Sequence, residues 1–254
     1  MRRPAALVTG ARRGIGKAIA LELARTGHDL ALTDIADDEA MRETADACAA
    51  RGAAVAFHRH DSADVASHQA LIDSIFKKFG RLDVVVNSAG IGSPVRGDLI
   101  DLKPEHFDAV MNVNLRGAVF LCQAAARRMA AVKSDTPRAI IVVTSVSAEF
   151  ASPERTDYCI SKAGLSMFVK ALALRLAPEN IAVFELRPGI VRTDMTESVA
   201  AKYDAAIAGG LVPMRRWGAP EDIARSVGAL ASGAFHFSTG TVIHADGGLG
   251  VPRF

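Results

Sequence analysis

Seven short runs of the sequence, AALVT, DLALTD, AAVAFH, LDVVVN, AIIVVTS, IAVFELRP and GTVIHADG, are almost wholly apolar, and helix-like stretches separate them. A strand that is apolar on both faces must be covered on both faces. Hairpins would show strict alternation and two-residue turns, whereas these long helical intervals supply the crossovers that parallel strands require. The pattern predicts an α/β fold: a doubly wound Rossmann-type parallel sheet of about seven strands with helices on both faces. Residues 1–254 form one dinucleotide-binding and catalytic domain on this reading, because no linker, repeat or compositional shift divides them. The least regular stretch, about 192–218, reads as a mobile flap over the carboxyl edge of the sheet.

Composition acts mainly by exclusion. No apolar run approaches the ~18 residues of a membrane span. A net charge of +2 with interspersed signs offers no basic stripe for nucleic acid. Arg2 and Arg3 open the chain, but the apolar stretch after them is too short for an export signal, so a cytoplasmic protein is expected. Cys48, Cys122 and Cys159 lack CxxC spacing and fit reduced, buried thiols. No metal site is expected, since the seven histidines are scattered. His58 and His60 alternate along a strand and are assigned to a solvated face.

Directly after the first apolar run stands TGARRGIG, with Gly10, Gly14 and Gly16, opening a helix. Glycines there allow a tight turn and close backbone approach, while the helix N-terminus faces a pyrophosphate. The loop also holds Arg12, Arg13 and Ile15. The second run ends in Asp34, placed to accept hydrogen bonds from the adenosine ribose hydroxyls and to repel a 2′-phosphate. NAD is therefore expected in preference to NADP, although Arg12 and Arg13 could pair with a phosphate if Asp34 swung aside. Asp61 and Ser62 offer an edge to adenine, and NSAG, Asn87 to Gly90, lays backbone beside the cofactor.

One of only two tyrosines, Tyr158, lies four residues before Lys162, on the same helical face. An ammonium there would stabilise a phenolate, giving an acid/base suited to alcohol and ketone chemistry. Ser145, ending the fifth run, could hydrogen-bond the same substrate oxygen.

Taken together, TGARRGIG, NSAG, NVNLRG, Ser145, YCISK, RPGIVRTDM and HADGG resemble the short-chain dehydrogenase/reductase family over almost the whole chain. The resemblance implies a tetrad: Asn114 holding a water in a proton relay, Ser145 orienting substrate, Tyr158 as acid/base, and Lys162 binding the nicotinamide ribose. It places Pro188, Gly189, Ile190 and Thr193 against the nicotinamide carboxamide, and Asn87, Ala89 and Gly90 near the ribose. It also implies a homotetramer. Asn112 is a rival to Asn114, which is preferred because it directly precedes a leucine. Ser88 and Thr144 depart from the commoner asparagine and serine, and a local hydrogen-bond change is the expected result.

Substrate is less constrained. An NAD-linked dehydrogenase of a polyol, sugar or other small hydroxy compound suits Asp34 and the uncharged-to-acidic loop LAPEN. The alternative is an NADPH-dependent 3-oxoacyl-(acyl-carrier-protein) reductase, which YCISKAGLSM and VPMRRWGAPEDIA resemble. A non-catalytic dinucleotide-sensing protein is the rival from outside enzymology. Tyr203, Met195, Met214 and Trp217 in the flap fit packing as well as substrate contact.

Overall fold

A computed structural model describes residues 3–134 and 136–253; Arg2 of the paired arginines lies outside them. In chain order the elements are β1 (Ala5–Thr9), α1 (Gly14–Arg25), β2 (Asp29–Asp34), α2 (Glu39–Ala49), β3 (Val55–Arg59), α3 (His68–Phe79), β4 (Val84–Asn87) and α4 (Pro104–Met111). There follow α5 (Ala118–Ala130), β5 (Ala139–Val143), α6 (Thr156–Leu176), β6 (Ala182–Pro188), α7 (Asp194–Glu197), α8 (Ala200–Ala208), α9 (Pro220–Ala231) and β7 (Val242–Ala245). The seven strands form one parallel sheet in the order β3-β2-β1-β4-β5-β6-β7.

The continuous apolar runs are explained by two cores. Alternate residues Ala6, Val8, Val84, Val86, Ile141 and Phe184 pack on one face with Ile19 and Leu23 of α1 and Ile223 and Val227 of α9. Their neighbours Leu7, Val85, Ile140, Val142 and Val183 pack on the other with Ile72 of α3, Leu121 of α5 and Val169 of α6. Each fully buried Val, Leu, Ile or Phe among them contributes about 1.5–3 kcal/mol relative to exposure, so a one-residue register slip would be opposed on both faces at once.

From β1 the chain moves outward to β2 and β3, then returns across β1 to β4 and proceeds the other way. Loops leaving β1 and β4 therefore diverge and open a crevice at the carboxyl edge. Between α4 and α5 the helix loosens into a π turn, Asn112–Gly117, an irregularity frequent at functional sites. A Cβ at Gly117 would overlap the Ser62 carbonyl oxygen, so glycine lets this turn press against the loop after β3.

The 192–218 stretch is more regular than its composition suggests. It contains α7 and α8, closes with a bridge between Val191 and Gly218, and is held by side chains. Trp217 meets Tyr203 edge-on at 5.7 Å, lies under the Arg192 guanidinium at 4.6 Å and donates to Asp204 at 2.6 Å. These contacts join residues far apart in the segment, which local composition does not record.

Two further expectations are corrected. His60 is buried, not solvated, because His68 at the start of α3 covers it, ring centroids 5.2 Å apart; His58 is half-buried. Cys48 and Cys122 are buried, and burial pushes their thiols up to about 11 and about 12, but Cys159 is partly exposed. Among the described residues no helix is long and apolar enough to cross a membrane.

Candidate active site

A cavity of about 550 Å³ follows the crevice. Of the residues expected at the cofactor, Gly10, Arg12, Arg13, Gly14, Ile15, Gly16, Asp34, Asp61, Ser62, Ala89 and Gly90 line it, as do Pro188, Gly189, Ile190 and Thr193. Asn87 does not. It lies beneath the floor at the end of β4, buried, with neither amide atom bonded to another group of the protein.

At the phosphate end, Gly10 has φ +67°, and a Cβ at Gly16 would overlap the Gly10 carbonyl oxygen. Only glycine permits that approach of helix to loop. α1 begins without a side-chain cap and without an acid in its first turn, leaving its positive end available to an anion. Asp34 stands at the end of β2 with one oxygen accepting from Arg12 N at 3.4 Å and the other from Ala36 N at 3.3 Å. This glycine cradle, bare helix end and carboxylate fit a dinucleotide. Neither arginine waits free for a 2′-phosphate. Arg12 is held by Asp38, its Nε 2.9 and 2.8 Å from the two carboxylate oxygens, which raises the guanidinium pKa and lowers that of the carboxyl. Arg13 pairs with Asp194 of α7 at 2.8 Å, tying the glycine loop to the flap.

At the reacting end, α6 and the carboxyl end of β5 bring Ser145, Tyr158 and Lys162 onto the same cavity. Asn114 is fully buried and Asn112 is exposed. The Asn114 amide clamps the loop after β4: Oδ1 accepts from Ile91 N at 2.8 Å, and Nδ2 donates to Ile91 O at 2.9 Å and Ser161 Oγ at 3.3 Å. Lys162 Nζ donates to the Val143 carbonyl at 3.1 Å and lies 5.6 Å from the Tyr158 ring centroid.

The protonation pattern differs from the expected lowered phenol. Burial pushes Tyr158 above its ordinary value, and the nearby Ser145 hydroxyl and Arg155 charge offset this only in part. Burial also pulls Lys162 down to about 8, against an opposing pull from Glu185. Tyr158 as a whole is part-exposed and lines the cavity. Desolvation outweighs charge stabilisation here because the ammonium is aimed at a carbonyl oxygen.

Behind the site lies a cluster that sequence reasoning missed. Glu185 on β6, fully buried, accepts from Thr144 Oγ1 at 2.7 Å, Ser166 Oγ at 2.8 Å and Arg187 Nε at 2.5 Å. Arg187 continues to Ser166 at 2.8 Å and to Glu149 at 2.7 Å. Thr144, the expected departure, thus spends its hydroxyl on Glu185, next to Ser145. Glu149 pairs with Arg187, and Arg192 with Asp204. Met195 and Tyr203 line the cavity, whereas Met214 and Trp217 do not.

Residues 10–250 match the profile of a family described as enoyl-(acyl carrier protein) reductase. A 3-oxoacyl-[acyl-carrier protein] reductase from Brucella melitensis, solved in complex with NAD, is 53% identical, with TM-score 0.96 and full coverage of both chains. A 3-oxoacyl-[acyl-carrier-protein] reductase of Staphylococcus aureus is 34% identical over 96% of this chain and 97% of its own. A candidate 2-deoxy-D-gluconate 3-dehydrogenase from Agrobacterium tumefaciens, with bound NADP, is 31% identical with TM-score 0.86, covering 98% and 97%.

Proposed function

We propose that this chain, which belongs to the short-chain dehydrogenase/reductase family and is an NAD(P)-dependent oxidoreductase acting on CH–OH groups, interconverts 3-oxoacyl and 3-hydroxyacyl compounds. The observation that carries the chemistry is the convergence of Ser145, Tyr158 and Lys162 on one cavity wall. A bound nicotinamide dinucleotide supplies hydride chemistry. Ser145 orients the carbonyl oxygen, and Tyr158 exchanges a proton with it. A phenol held protonated by burial is poised as an acid, which suits the reductive direction. Asn114 fixes the Gly90–Ile91 backbone beside the cofactor end, and Lys162 serves the ribose and the proton path.

Relatives named for 3-oxoacyl reduction support this reading over the polyol or sugar dehydrogenase expected first. Both the 3-oxoacyl and the 2-deoxygluconate names put the reacting carbon two carbons from an acyl carbon. Asp34, together with the engagement of Arg12 and Arg13 by carboxylates, supports NAD as the preferred dinucleotide. Ile160, Met167 and Leu174, exposed at seven-residue intervals on α6, support self-association, with a tetramer as the proposed state and light scattering as its check. For the chemistry, Tyr158→Phe should retain dinucleotide binding by calorimetry and lose about 10²–10⁴-fold in turnover of acetoacetyl thioester. More than a tenth of wild-type turnover would remove Tyr158 from the acid/base role.

A further inference from the structure

The acids lining the cavity are Asp34 and Asp61 at the nucleotide end and Asp194, which is already paired with Arg13. The walls around Tyr158 instead carry Arg96, Arg155 and Lys162. Arg155 is the informative one. It is half-buried, its guanidinium carbon is 5.3 Å from the Tyr158 ring centroid, and one of its five N–H donors reaches Ser147 Oγ at 3.1 Å. Among the described residues it has no carboxylate within salt-bridge reach. The neighbouring acids face elsewhere: Glu154 pairs with Lys202 at 2.9 Å, and Asp157 accepts from Ser93 and from the Tyr158 amide.

A half-buried guanidinium beside the reacting phenol that feels the charge of Glu154 but bonds no carboxylate is an unfilled anion site. Its planar fork matches a carboxylate bidentately, whereas a thioester carbonyl offers a single weak acceptor. An acidic carrier protein would meet exposed residues outside the cleft, and Arg155 lies inside it. We propose that Arg155 is the specificity-determining residue that holds a carboxylate two carbons from the reacting carbon, so that free 3-oxo and 3-hydroxy carboxylates are preferred over their thioesters. The position of the reacting carbon rests on the 3-oxoacyl reading above.

The test compares 3-hydroxybutyrate, its methyl ester and its N-acetylcysteamine thioester in wild type, Arg155→Gln and Arg155→Lys, with circular dichroism as the check on folding. Wild type should favour the carboxylate over the ester by about 10- to 100-fold in kcat/KM, as a charge-assisted hydrogen bond would give. In Arg155→Gln that ratio should fall towards one, mainly through KM, and Arg155→Lys should recover part of it. An effect of Arg155 on Tyr158 alone would lower all three substrates equally and overturn the proposal, as would a wild-type preference for ester or thioester. Turnover of none of the three would fell the 3-oxoacyl reading. Calorimetric binding of 3-hydroxybutyrate to the dinucleotide complex would then decide the arginine by itself. Binding lost in Arg155→Gln supports it, and equal or absent binding overturns it.

Discussion

Replacing Glu185 by glutamine removes one charge from a pair whose partners are 0% and 5% exposed. The remaining guanidinium stays buried, and breaking such a pair from one side costs about 3–5 kcal/mol. Two features favour the lower end. Arg187 keeps its bond to Glu149, and the new amide keeps an oxygen that can accept from Thr144 or Ser166. A loss of about 3 kcal/mol is expected, and at about 2–4 °C per kcal/mol for a chain of this size Tm should fall by roughly 6–12 °C. Differential scanning calorimetry measures the shift, and urea unfolding with an unchanged m value shows that the compactness of the two end states is preserved. The double variant Glu185→Leu/Arg187→Met separates pairing from packing, because removing both charges relieves the desolvation of each; it should recover most of the loss. A single variant within 2 °C of wild type would refute the reasoning, since the buried guanidinium would then have no need of its partner.

Asp34→Ser should raise activity with NADP relative to NAD, and an unchanged ratio in initial-rate measurements would remove Asp34 from cofactor choice. The gain should stay partial until Asp38 is also neutralised, because Arg12 is held there. Lys162 provides a pH test. Its folded value of about 8 lies below the ordinary 10.5, so between those values the unfolded chain holds a proton that the folded chain has released, and stability gains from rising pH across that window. The stability of wild type minus that of Lys162→Met should therefore increase between pH 8 and pH 10 in urea titrations; a flat difference would contradict the assigned desolvation.

How legible the fold was depended on the distance over which its causes act. AALVT and DLALTD coincide with β1 and β2 because a two-faced apolar run of this length has few placements other than an interior strand covered on both faces. AAVAFH is displaced towards its C-terminus, since hydrogen-bonding to β2 from Val55 to Arg59 sets that strand, not the apolarity of Ala53. His60 was misplaced for a related reason: alternation describes a strand face, but whether that face is wet depends on α3 arriving from elsewhere in the chain.

The site divides along the same line. The glycine loop and Asp34 could be read directly, because a turn, a helix end and a strand end are local events, and Tyr158 with Lys162 could be read because four residues make one helical turn. Where the lysine points could not be read, since the Val143 carbonyl that receives it belongs to another strand. Glu185 and Arg187 did leave a signal. Two opposite charges at i and i+2 in IAVFELRP share one face of a strand, and a central strand of a sheet covered on both sides cannot leave them in water. The parallel-sheet expectation alone was thus enough to require that they be paired and buried. Arg155 left no such signal, because Glu154 and Asp157 beside it suggest neutralisation in sequence. Only the departure of both acids to Lys202 and Ser93 leaves its charge facing the cleft.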